Sequence, residues 1–207
     1  MEGEEENLVM EGTTSSSMQG LLDLVNTSVA VHSDLDLCDS SFLRKKMVVG
    51  SFTSECEISI SVERLWKAGV QDAHNLMPKL LSHTIKSVEV IEGDGGVGTI
   101  KQLNFTEVVP GYSYTKDRID VIDNANHVFK YTIFEGGVVG KRVKWYSFEL
   151  KYEPTAAGGC TQKVKVEYDS IDGTFPTDDE AAGIKHWVSE MVKAMETYLK
   201  ENPNAYV

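Results

Sequence analysis

From Met47 onward, apolar and polar residues trade places at every second position through one stretch after another. That period belongs to strands with one face buried and the other in water. Tyr146, Phe148, Leu150 and Tyr152 share a face in one stretch. In another, Gln162, Val164, Val166 and Tyr168 oppose Thr161, Lys163, Lys165 and Glu167. Phe129, Tyr131 and Ile133 fall together, as do Lys101, Leu103 and Phe105. Turn residues punctuate the pattern at Pro110-Gly111, Asp123 to Asn126, Gly136-Gly137 and Pro154 to Gly159. These boundaries predict strands at 48–60, 84–92, 98–108, 112–122, 127–135, 140–153 and 160–172. Short turns between successive strands imply an antiparallel meander.

The period changes in two places. Leu65, Trp66 and Val70 suit a short helix after Ser61, whose capping-box acid is one position out of place. A second short helix is expected from Asp72 to Leu81, distorted or divided by Pro78. At the other end, Thr177-Asp178-Asp179-Glu180 forms a capping box with acids at a helix N-terminus. Ile184, Trp187, Val188, Met191, Met195, Tyr198 and Leu199 follow at helical spacing until Asn202-Pro203. Such a helix is roughly 35 Å long and crosses a whole sheet. The class is therefore α+β, with one long amphipathic helix covering the concave face of a bent seven-stranded sheet.

Gly93-x-Gly95-x-x-Gly98 matches a dinucleotide-binding pattern in its glycines alone. That motif needs a helix after the glycines, and here Thr99 to Phe105 reads as a strand. A Walker loop would carry lysine where Thr99 stands, and no kinase signatures follow. Gly93, Gly95, Gly96 and Gly98 are thus expected to serve a tight strand-to-strand turn, though exposed amides there could also take an anion. Lys101 lies on the apolar face with Leu103 and Phe105. Either it snorkels to the sheet edge, or that face lines a cavity and Lys101 is one of its few polar anchors.

Composition narrows the function. The 207 residues carry a net charge of −12, which argues against a general nucleic-acid binder. Residues 1–46 hold nine acidic and three basic side chains and so account for −6 of it. Their Glu, Ser and Thr content predicts a mostly disordered extension with one short helix near 18–25, ahead of a folded domain at 47–207. Cys38, Cys56 and Cys160 form neither a disulfide framework nor a zinc site, and no metal or cofactor is expected. No apolar run reaches membrane-spanning length, and the acidic start is unlike a signal peptide. A cytoplasmic monomer is expected, with nuclear presence allowed.

From Met47 to Val207 the chain resembles the plant pathogenesis-related class 10 proteins of the major birch pollen allergen family. The resemblance rests on Gly93 to Lys101, Tyr114-Thr115-Lys116-Asp117-Arg118, Ile133-Phe134-Glu135-Gly136-Gly137 and Tyr198-Leu199-Lys200-Glu201-Asn202-Pro203-Asn204-Ala205-Tyr206. Met47-Val48-Val49-Gly50-Ser51 is similar to the monocot form of the family's N-terminus. The resemblance implies a helix-grip fold, in which two short helices form a V that supports a long helix over an internal cavity. It also implies binding of small hydrophobic plant metabolites or hormones: flavonoids, cytokinins, brassinosteroids and, among the possibilities, abscisic acid. By position, the lining would include Lys101, Leu103, Phe105, Tyr112, Tyr114, Phe129, Tyr131, Tyr146, Phe148, Trp187 and Met191. On periodicity alone these aromatics could equally fill a core.

Three functional classes follow. The first is a non-catalytic carrier or sensor linked to defence, with Lys101, Tyr131 and Tyr114 as polar handles in an apolar pocket. The second is the ribonuclease activity attributed to the family. Lys101, Glu196 and Tyr198 match its residues, but the further glutamate falls at Lys144. The third is a Pictet–Spengler enzyme of the norcoclaurine synthase kind. Its catalytic positions hold Thr115, Asp117, Phe129 and Phe148, of which only Asp117 suits acid–base work. The gate and latch loops of abscisic acid receptors, which share the fold, are absent. The carrier is the leading expectation.

Overall fold

A computed structural model describes residues 48–207 apart from Pro110 and Tyr112. The expectations for the N-terminal extension and for Tyr112 lie outside the described residues. Seven strands run in chain order: β1 (Val48–Ile58), β2 (Ile85–Glu92), β3 (Ile100–Phe105), β4 (Tyr114–Asp123), β5 (Val128–Gly136), β6 (Val143–Pro154) and β7 (Cys160–Ser170). They form one sheet in the order β1-β7-β6-β5-β4-β3-β2, every neighbouring pair antiparallel. The meander is therefore continuous from β2 to β7, and β1 closes onto β7.

Bulges bend this sheet, because an extra residue on one strand turns it and sharpens its twist. Register shifts fall between Lys116 and Asp117, between Ile119 and Val121, at both ends of β2 and early in β6. The resulting concave face is covered by α3 (Asp178–Glu201), the long helix that the sequence predicts. Thr177 Oγ1 accepts from the Glu180 amide at 3.2 Å, and the Glu180 carboxylate accepts from the Thr177 amide at 2.8 Å. The expected capping box is present in both halves.

The V is made by α1 (Val62–Trp66) and α2 (Ala73–Leu80). Ser61 occupies the N-cap of α1 with extended dihedrals but makes no side-chain cap bond, as the misplaced acid foretold. Pro78 sits inside α2 without dividing it. Between the two helices, Lys67–Gln71 forms a single π turn in which the Asp72 amide reaches the Lys67 carbonyl at 3.0 Å. Two apolar clusters grip α3. Leu65, Trp66, Ile85, Tyr152, Val192 and Leu199 pack where the V meets its C-terminal half. Val143, Phe148, Val166, Phe175 and Ile184 pack under its N-terminal half.

The glycine loop is closed on itself. Gly95 donates to Thr99 Oγ1 at 2.9 Å, Gly96 to Asp94 Oδ1 at 2.9 Å and Gly98 to the Ile119 carbonyl at 2.8 Å. These three amides, which could have taken an anion, are thus already occupied by protein acceptors. Gly93 has φ +97°, and a Cβ there would lie 2.5 Å from Thr99 Oγ1. This turn requires glycine for its own closure.

Candidate functional site

Between the sheet and α3 lies a cavity of about 210 Å³, many times the roughly 10–15 Å³ that a single water needs. The bulk of the lining is aromatic and aliphatic, and its order follows from strand register. Ile119, Tyr131, Phe148 and Val166 form one row across β4 to β7, of which Tyr131 and Phe148 reach the cavity. Tyr131 stacks on Phe148 at 5.2 Å with 15° between the rings, and Tyr146 meets Phe148 edge-on at 5.8 Å. Phe129 tilts against Tyr131 at 5.5 Å. On the helix side, Trp187 and Met191 complete the wall.

Among the described residues, the cavity's lysine and its one carboxyl group lie on β3 and β4. Lys101 and Asp117 are register partners, so their side chains project from directly opposed positions on the concave face. Lys101 Nζ lies 3.6 Å from Asp117 Oδ1 and 5.6 Å from the centroid of Phe129. The separation makes an ion pair with a cation–π contact but is too long for a hydrogen bond. Asp117 is 9% exposed, and its Oδ1 has no hydrogen-bond partner among the described residues. Burial pushes its carboxyl above the ordinary range, and the Lys101 charge opposes that rise. Burial also pushes the Tyr131 phenol well up, with the Asp117 charge adding to it.

The structure brings Lys101, Leu103, Phe105, Phe129, Tyr131, Tyr146, Phe148, Trp187 and Met191 to this one cavity. Tyr114 is a correction. It begins β4 on the outer face, where its hydroxyl donates to Glu135 Oε1 at 2.9 Å beside the Lys116–Glu135 ion pair. Lys101 pairing with Asp117 sends Thr115 and Asp117 inward and Tyr114 outward. Sequence reasoning missed Thr115, Asp117, His74 and Gln162 as lining residues. A lysine on an apolar face called for a partner, but the register that sets Asp117 opposite Lys101 comes only with the fold.

A model of the Pathogenesis-related protein Bet v 1 family matches residues 47–202. The chain belongs to that family. A family relative, Pathogenesis-related protein 1 of Asparagus officinalis, is 37% identical over 161 residues, spanning 78% of this chain and all of that one. Major allergen Pru av 1 of Prunus avium is 38% identical over 160 residues, spanning 76% and 99%. Among solved structures, Ara h 8.0201 superposes with a TM-score of 0.67 at 32% identity, covering 74% of this chain and 99% of its own. Norcoclaurine synthase from Thalictrum flavum, in complex with dopamine and hydroxybenzaldehyde, gives a TM-score of 0.65. At 24% identity, with coverage of 82% and 98%, that likeness shows the fold alone.

Within the family's helix-grip fold, the ribonuclease candidates are not gathered in the cavity. Lys101 is inside it with Asp117. Glu196 accepts from the Ser59 amide at 2.8 Å and the Ser59 hydroxyl at 2.6 Å, and pairs with Lys200 at 2.9 Å. Burial pushes the Glu196 carboxyl up, but these donors outweigh it and leave it below the ordinary range. Tyr198 packs against the cluster under the V. Neither Glu196 nor Tyr198 lines the cavity.

Proposed function

We propose that this protein is a defence-related carrier or sensor that binds small amphipathic plant metabolites, such as hormones or flavonoids, in its internal cavity. One observation carries the reading: an ion pair placed inside an otherwise aromatic hollow, Lys101 with Asp117 beside Phe129, Tyr131 and Phe148. A core needs no such pair, because replacing a buried ion pair by packed apolar side chains is often neutral or stabilising. A pocket that must orient one polar end of an apolar ligand does need it.

Catalysis has weaker support. The three ribonuclease candidates share no pocket, and Glu196 holds Ser59 at the end of β1. For Pictet–Spengler chemistry, Phe129 and Phe148 stand where a proton carrier is required, which leaves Asp117 without a partner acid. The test is titration of a neutral fluorescent amphiphile followed by displacement with plant hormones and flavonoids. One-to-one saturable binding, lost when Phe148→Trp fills the cavity, is the expected result. A probe that never saturates, or that binds the filled variant equally well, removes the carrier reading.

A further inference from the structure

The Lys101–Asp117 pair has a chemical preference of its own, which presumes that the cavity is the binding site. Asp117 Oδ1 is buried, faces the cavity and accepts no hydrogen bond among the described residues. Lys101 is also a cavity-lining side chain, 3.6 Å away, and offers N–H donors. The pair therefore presents an acceptor and a donor side by side while remaining neutral in total. We infer that Asp117 makes this cavity select ligands whose polar end is a neutral hydroxyl, an alcohol or phenol, over ligands ending in a carboxylate or an ammonium.

The physical reason is complementarity to both members at once. A hydroxyl donates to Asp117 Oδ1 and accepts from Lys101 Nζ, so it satisfies both groups without adding charge. A carboxylate can pair with Lys101 only by approaching Asp117, and the two anions then repel in a poorly screened interior. An ammonium meets the same obstacle from Lys101. The rings of Phe129 and Tyr131 hold the aromatic frame of the ligand on the same side as the pair. Gln162 adds a second polar point near the start of β7, where its Nε2 reaches the Tyr152 hydroxyl at 2.9 Å. Because the amide could be turned either way, that residue sets no preference between donor and acceptor ligands.

The test uses ligands matched on one frame: 2-naphthol, 2-naphthoate and 2-naphthylmethylammonium, titrated calorimetrically into the full chain at neutral pH. The naphthol is expected to bind about tenfold more tightly than either ion, as one charge-assisted hydrogen bond allows. In Asp117→Asn the lysine loses its counter-charge, so naphthoate should gain and the naphthol preference should vanish or reverse. If circular dichroism shows that this variant does not fold, Lys101→Met replaces it and should turn the preference toward the ammonium. Naphthoate binding as well as naphthol to the native chain overturns the inference, and so does an unchanged ratio in a folded variant. If none of the three naphthalenes binds, the cavity reading falls and this inference with it.

Discussion

Glu180 is 1% exposed, yet its side chain ends in a carboxyl group that needs polar partners. Arg142 donates to its two oxygens at 2.7 and 3.3 Å, and the Thr177 amide supplies a third bond. Truncating it leaves Arg142 unpaired and removes half of the capping box. Glu180→Ala should therefore lower unfolding free energy by about 3–5 kcal/mol in urea titrations, with Arg142→Ala close behind. The cavity pair behaves oppositely. Lys101→Met with Asp117→Leu should raise stability by about 1–4 kcal/mol while abolishing discrimination among polar ligands. A double variant that loses stability would mean the pair serves the fold. The two charged pairs also differ in how far they could be read beforehand. Thr177-x-x-Glu180 is a local pattern, and Lys101 follows from period two, so both were legible. Asp117 was not assigned to the lining, because polar residues at inward positions look like a surface until a cavity is known. The family resemblance places Tyr114 in the lining by position, while its hydroxyl in fact serves Glu135 outside.

Element boundaries were legible where side chains set them and less so where backbone geometry did. The strand expected at 98–108 is Ile100–Phe105, because Gly98 and Thr99 are spent closing the turn through the Ile119 carbonyl and the Gly96 carbonyl. The expected short helix at 61–70 becomes α1 followed by the π turn, since the extra residue there has no signature in apolar spacing. That turn brings Gly69 beneath α3, where a Cβ would sit 2.9 Å from the flexible Met195 Sδ. The glycine loop gives a sharper comparison. Gly93 and Gly95 share positive φ, +97° and +96°, but only the first has Thr99 against it. Both alanine variants should lose stability through backbone strain, about 1 kcal/mol or more. Gly93→Ala should lose clearly more, since Thr99 is buried and cannot move away. Equal melting temperatures for the two variants would show that the contact with Thr99 yields at no cost.

On the scale of the whole molecule, two systems hold sheet and helix in place. The outer face of the sheet is laced by Glu167, bonded to Lys130 and Lys165, and by Glu153, bonded to Lys151 and Lys163. These lysine bonds hold both carboxyls at about 2, against an ordinary value of 4.5. Folded-state pKa values below the unfolded ones give a stabilisation that is complete above pH 4.5 and lost as pH falls toward 2. Asp117 works against this trend, because its raised carboxyl is relieved by protonation. Urea midpoints should drop between pH 4.5 and 2, and the drop should shrink in Lys130→Met with Lys165→Met. The second system is the chain end. Arg64 donates to the carbonyls of Leu199, Asn202 and Ala205, Lys67 to that of Val207, and the Tyr206 hydroxyl to Asp72. Asp72 sits between the π turn and α2, next to Ala73 and His74 in the cavity wall. The last residues therefore tie the V to the foot of α3, while Arg142 and Glu180 tie its head to the sheet. Deleting residues 203–207 should loosen only the foot. Amide hydrogen exchange should accelerate in α1, α2 and the C-terminal half of α3, a bound amphiphile should dissociate several-fold faster as local opening becomes easier, and the amides around Thr177 should keep their protection. Tyr206→Phe, which removes a single bond, should fall between the native and truncated chains. Exchange that rises equally at both ends of α3 would show that the helix moves as one body, and the V would then be a passive support rather than the hinge of the cavity.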